Sequence, residues 1–350
     1  MRFSLFYNFD IVPGKDVHEL YREIETQAVA ADRLGFDAIH VAEHHFEVYG
    51  RLPAPLVFLS RLSGMTRQIA LGTAIAQAPY YHPLRLAEDT ALLDVLSGGR
   101  ARLGIGSGAR NKTAEFAKFG LPLDEKTDRT FETLDILGQA LGGGIVNFDG
   151  QYYQFADVEI NPRPIQRVEN LIWVAASKAT PEYAARHGYG LQIPRVGAGA
   201  VHKELISRYR AALGEVPGFV TQLRFVYVAE TEARAHAETR ATFARYAKYD
   251  CGVDWDGNTD SAEYADLSER MHFVIGTPET VAAQLAAWQE AYGFDEIMCQ
   301  LYAAGMRHED SLRSLELLGR EVLPRLQSGL PAAERVRVAT RQPQPQEQVA

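Results

Sequence analysis

Apolar and polar positions along this chain follow two rhythms that take turns. Residues 2–7, RFSLFY, form a short apolar run of strand type. Residues 18–34 then carry Leu20, Ile24, Ala28 and Ala31 at helical spacing until Gly35 stops them. The pair recurs as a strand over 36–42 and a helix over 54–64, then a strand over 69–76 and a helix over 84–96. Pro83 opens that last helix, where its missing N–H has no helical partner to lose. A fourth strand is predicted over 101–105.

The second half repeats the rhythm less evenly. Helices are predicted over 127–141, 181–187, 203–213, 232–248, 278–292 and 310–326, and strands over 171–176, 191–193, 222–229 and 295–301. Residues 145–158, IVNFDGQYYQFADV, read as a hairpin turning at Asp149-Gly150. Residues 250–272 include the polar run DWDGNTDSAEYAD and read as a mobile loop insertion. The tail over 327–350 ends in RQPQPQEQVA, a Pro/Gln-rich composition that predicts disorder.

About eight strand-then-helix units imply a parallel α/β sheet. No G-x-G-x-x-G opens the first helix, which disfavours an open dinucleotide-binding sheet. The expectation is one (β/α)8 TIM barrel over 1–326, with insertions at 145–158 and 250–272. In such a barrel the chemistry sits on the loops that follow the strands.

Charge and cysteine content narrow the function. The net charge of -9 and pI near 5.6, with no Lys/Arg-rich run, argue against nucleic acid or an anionic membrane as partner. Cys251 and Cys299 are the only cysteines, and their spacing suits neither a metal nor a redox pair. The start, MRFSLFYNFD, is too short and polar for a signal peptide, and no apolar run approaches the ~18 residues of a membrane span. A cytoplasmic protein is expected.

Candidate chemistry gathers after the predicted strands. Glu43-His44-His45 follows the second, and histidine exchanges protons near neutral pH. Neighbours at a strand end point to opposite sides, so one histidine should face the cavity. The plain alternative is a pair of satisfied rim residues, and with no H-x-x-x-H a metal site is not expected. LGTAIAQAP, 71–79, offers small residues that would let a flat ligand approach the backbone, or an ordinary small-residue core. Gly104, Gly106 and Gly108 either leave N–H groups open to a ligand or form a simple glycine turn. Ser177 and Thr180 precede a helix opened by Pro181, as either a phosphate seat or plain caps. The helix over 84–96 is apolar over a wide arc that includes Leu92, Val95 and Leu96. Such an arc predicts a second packing partner, either another subunit or the insertions.

Taken together these residues resemble the bacterial luciferase-like flavin monooxygenase family, almost end to end through Leu326. The resemblance rests on GFDAIHVAEHHF (35–46), LGTAIAQAPYYHPLRLAEDTALLDVLSGGRARLGIGSG (71–108), Asn111-Lys112, VAASKATPEYAARHG (174–188) and IGTPE (275–279). It implies a barrel, usually dimeric, with FMN on the C-terminal face. It makes His44 the catalytic base beside the flavin, with Glu43 orienting His44 or meeting the ring. It implies a non-proline cis peptide at Ala74–Ile75 under the ring, and flavin contacts from Gly106, Ser107 and Ala176. The phosphate would rest near Ser177 and Thr180, helped by Arg129.

This chain also departs from the bioluminescent members. Gly106 and Ser107 stand where those carry a reactive cysteine and an arginine, and Thr113 and Ala176 replace acidic residues. A roomier site near Gly106 and a backbone-only contact at Ala176 are expected, and light emission is not inferred. The function implied is a two-component monooxygenase. A separate flavin reductase supplies reduced FMN, O2 adds at the flavin C4a carbon, and the resulting peroxide oxygenates a small organic substrate. Tyr80 and Tyr81 would line the substrate side, and 250–272 would form a lid. The alternatives are hydride transfer with the deazaflavin coenzyme F420 and a non-catalytic flavin-binding protein.

Overall fold

The structure, a computed structural model, describes residues 1–12, 14–46, 50–108, 113–214 and 218–327. Asn111-Lys112 and the tail beyond Gln327 therefore lie outside the described residues. Eight strands form the frame: β1 (Arg2–Tyr7), β2 (Ala38–Val41), β3 (Ala70–Thr73), β4 (Ala101–Gly106), β5 (Ile172–Ala175), β6 (Gly190–Ile193), β7 (Val220–Val228) and β8 (Glu296–Gln300). Each pairs in parallel with the next, and β8 pairs with β1, closing the (β/α)8 barrel. Helices cover its outside.

Local signals set most boundaries. The helix Val17–Leu34 begins where Asp16 accepts the His18 N–H and ends at Gly35, which adopts φ 83. Its buried face carries Leu20, Ile24, Ala28 and Ala31. Register then decides which residues meet. Tyr7 aligns with Val41 and Val41 with Thr73, so Asn8, Ala42 and Ala74 leave the barrel side by side. The opposite end is plugged by charge. Arg102 on β4 reaches Glu296 on β8 at 2.9 Å, with His40 of β2 3.6 Å from the same carboxylate. Burial by itself would raise the Glu296 carboxyl, but the adjacent Arg102 charge holds it well below the usual range.

Four expectations change. The predicted strand over 69–76 is broken: β3 stops at Thr73, the Ala74–Ile75 peptide is cis, and a short strand, Ala76–Gln77, pairs with β4. The hairpin forms as Val146–Asp149 and Gln154–Val158, but it does not turn at Asp149-Gly150. Its loop is residues 150–153, because Glu132 accepts the N–H groups of Gln151, Tyr152 and Tyr153 at 2.6, 3.0 and 3.2 Å. The stretch over 250–272 is not wholly irregular. The helix Glu232–Cys251 runs into it, and Ser261 caps a second helix, Ala262–Met271, which buries Leu267 and Met271. Trp255 packs edge-on and Tyr264 at a tilt against Phe243, tying this segment to the outer layer. Finally, the last predicted helix is interrupted by a π turn at Leu318–Val322. Among the described residues, no helix is long and apolar enough to cross a membrane.

Candidate active site

The C-terminal mouth of the barrel has an apolar floor. Phe6 of β1, Ala42 after β2 and Met298 of β8 pack together, joined by Ala74 after β3 and Leu223 of β7. Side chains from five adjacent strands meet only on the inside of a barrel, so this cluster caps the interior beneath the mouth. The cis Ala74–Ile75 peptide lies at its edge, with both residues half-buried. Beside it, Gly106, Ala175 and Ala176 continue the small-residue surface. Ser107, half-buried, follows β4 on the same rim.

Gly106 does not make the mouth roomier. A Cβ there would lie 2.6 Å from Ile75 Cδ1 and 2.8 Å from Ala175 Cβ, so neighbouring side chains already fill that space. Gly104 is crowded by the Thr73 carbonyl and the Gln192 amide, and Gly108 by Gln77. These glycines serve close packing of β4 against its neighbours. Ala176 donates its N–H to the Gln192 carbonyl at 2.8 Å, so even its backbone donor is committed.

The two histidines of EHHF diverge as strand geometry predicts. His44 Nε2 is 2.8 Å from Asn8 Oδ1 on the adjacent strand end. His45 turns the other way, 2.6 Å from Glu43 Oε1 and edge-on to Tyr80 and Phe119. Glu43 was expected to orient His44 or meet the flavin ring. Its second oxygen instead accepts the Gln77 N–H at 2.9 Å and the Tyr81 hydroxyl at 3.0 Å. Burial raises the Glu43 carboxyl, while the His45 and Gln77 bonds oppose that rise. Glu43 therefore holds the wall together. Tyr80 and Tyr81 belong to the same wall: the Tyr80 hydroxyl donates to Glu115 at 2.9 Å, and its ring stacks on Phe119.

Ser177 and Thr180 are brought together, though not as helix caps. Thr180 Oγ1 accepts the Ser177 N–H at 2.9 Å and donates to the Ala175 carbonyl at 2.9 Å. The following helix, Pro181–Arg186, has no side-chain cap. Arg129 has protein partners of its own. Its guanidinium pairs with Glu125 at 2.7 Å and lies 4.2 Å from the Tyr152 ring centre, on the hairpin side of the Lys126–Leu141 helix. The face meeting the Pro181–Arg186 helix carries Phe131 and Asp135, both in contact with Tyr183.

Sequence reasoning missed Asn8, Gln77, Glu115 and Gln192. Asn8 left one signal, a polar residue at the end of the apolar run RFSLFY. The mouth suits a flat ring with hydrogen-bonding edges. It combines an apolar floor with two buried polar atoms that have no hydrogen-bond partner among the described residues, Asn8 Nδ2 and Gln192 Oε1.

A parallel barrel with its polar groups gathered at the strand C-termini has the layout of a barrel enzyme. Residues 1–295 match the family described as luciferase-like monooxygenase, and the chain belongs to that family. The chain is 28% identical, over 93% of its length and 95% of the relative's, to the oxygenase component of a flavin-dependent trigonelline monooxygenase from Acinetobacter baylyi. The crystal structure of monooxygenase RslO1 from Streptomyces bottropensis superposes with a TM-score of 0.84 at 26% identity, covering 93% of this chain and all of that one (100%). A coenzyme F420 dependent tetrahydromethanopterin reductase from Methanopyrus kandleri shares the fold at a TM-score of 0.70 and 19% identity, over 93% and 99% of the two chains.

Proposed function

We propose that this protein is the oxygenase component of a two-component monooxygenase that uses reduced FMN and O2 on a small organic substrate. The observation that carries this reading is the mouth itself, an apolar floor on β1, β2, β3, β7 and β8, with the His44 imidazole held by Asn8 where the chain leaves β1 and β2. Family membership and a relative that is itself an oxygenase component support it.

Reduced FMN, when bound, supplies the electrons that activate O2. The chain's own residues do the rest. Phe6, Ala42, Ala74, Leu223 and Met298 receive the ring and exclude water beneath it. Ile75, Gly106, Ser107 and Ala176 form the small-residue rim. Ser177 and Thr180 hold the phosphate through the turn they already form. His44 holds and moves the proton at its imidazole. The substrate enters above the floor, and a separate reductase delivers the flavin.

The protein acts as a homodimer. Leu92, Val95 and Leu96 stay exposed on the Pro83–Ser97 helix, and Val57 is exposed on the neighbouring Pro55–Ser63 helix. These residues form an apolar face suited to a second copy.

Anaerobic titration tests the cofactor. Reduced FMN should bind, and admitting O2 should reoxidise it through an absorbing transient that free reduced flavin does not show. Tighter binding of F420, with hydride transfer independent of O2, would overturn the reading in favour of the deazaflavin enzyme. FMN binding with neither reaction would leave a flavin carrier.

A further inference from the structure

Asn8 is buried at the end of β1, and its side chain makes one contact of consequence, with His44 Nε2 at 2.8 Å. The atom facing the ring is the carbonyl oxygen Oδ1, which only accepts. Nε2 must then carry the ring proton, and the lone pair lies on Nδ1. The rest of the loop holds the ring against this contact. The His44 N–H donates to the Leu52 carbonyl at 3.1 Å, and the Arg51 N–H donates to the Phe9 carbonyl at 3.0 Å. Gly50, at φ 86, passes so close to the imidazole that a Cβ there would overlap its Cγ and Cδ2 atoms. Asn8 on one edge and the Gly50 backbone on another thus leave the ring little freedom.

We propose that Asn8 is the positioning residue of the site. It fixes His44 as the Nε2–H tautomer and thereby makes Nδ1 the atom that takes up a proton. This rests on the reading of His44 as the site's base, but its test does not. Asn8 touches the base and not the reacting atoms, so its effect must appear first in the protonation chemistry of His44.

The test uses the full-length protein labelled with 15N-histidine. Long-range 1H–15N correlations report which nitrogen of His44 bears the proton and where the ring titrates. Wild type should show the Nε2–H form alone. The near-isosteric Asn8→Asp should keep that tautomer and raise the titration midpoint by about one pH unit, because a carboxylate in contact favours imidazolium. Asn8→Leu should release the ring into a mixture of tautomers. Thermal melts confirm that each variant is folded, and the close match of Asp to Asn keeps one variant usable if the leucine form does not fold.

A wild-type Nδ1–H spectrum would overturn the proposal, since Asn8 would then donate rather than accept. An unchanged His44 midpoint in Asn8→Asp would also overturn it. The acid limb of the O2-dependent reoxidation rate should move upward with the midpoint in Asn8→Asp. A midpoint that moves while the rate profile stays still would uphold Asn8 as the positioner and remove His44 from the base's role.

Discussion

Two buried histidines that the proposed chemistry does not use should govern how this protein tolerates acid. His202 and His272 are buried side by side, their rings 5.2 Å apart, near the buried guanidinium of Arg224. Burial first, and then the Arg224 charge, pushes each from an ordinary 6.5 down to about 4. The unfolded chain protonates both near 6.5, whereas the folded chain resists until about 4. Across that window the unfolded state binds more protons, so stability falls as pH drops. The shift corresponds to roughly 3 kcal/mol for one imidazole, at about 1.4 kcal/mol per pH unit. That is a large share of the ~5–15 kcal/mol by which domains are stable.

Asp37 works in the opposite direction. Burial, and then repulsion from Glu296, raises its carboxyl to about 6, so its contribution grows as pH falls from 6 toward 3.8. The wild-type profile therefore mixes opposing slopes, and the variant-minus-wild-type difference is the quantity to measure. Urea unfolding between pH 7 and about 4.5 would be compared for wild type, His202→Gln and His272→Asn. Asparagine suits position 272 because that residue has φ 57. Each variant should lose most of its ~3 kcal/mol share of the acid sensitivity. The two should not add fully, because they share Arg224. Variants whose stability tracks wild type across the window would refute the reasoning.

Three further outcomes follow from the site. His44→Ala should abolish substrate turnover while reduced FMN still binds; surviving turnover would remove His44 from the chemistry. Gly106→Ala should cost about 1–3 kcal/mol in urea unfolding and weaken flavin binding, because its Cβ would enter space held by Ile75 and Ala175. A neutral result would mean those side chains move aside. If the proposed dimer forms through this face, Leu92→Asp with Leu96→Asp should yield a monomer in sedimentation velocity, and an unchanged sedimentation coefficient would remove this face as the interface.

The alternation of strand and helix, the stop at Gly35, and the helix bounds near Pro83 and Pro278 were legible in the sequence. Each depends on neighbours within a few residues. The cis peptide at Ala74–Ile75 came from resemblance rather than from periodicity, whereas EHHF was singled out by its place after the second strand. The predicted divergence of His44 and His45 held because it is a local property of extended backbone.

The partners of those residues were not legible. Glu43 meets Gln77 and Tyr81, His44 meets Asn8, and Glu132 shapes the hairpin loop over tens of intervening positions. Those pairings depend on barrel register, which sets Tyr7 opposite Val41 and Val41 opposite Thr73. By itself the sequence determined most of the elements, their order and the types of residue at the mouth, because short-range spacing encodes them. Only the closed barrel decided that Glu43 braces a wall, that Gly106 is crowded and that Arg129 turns to the hairpin. Each of these is a contact between segments that only folding brings within a few ångströms.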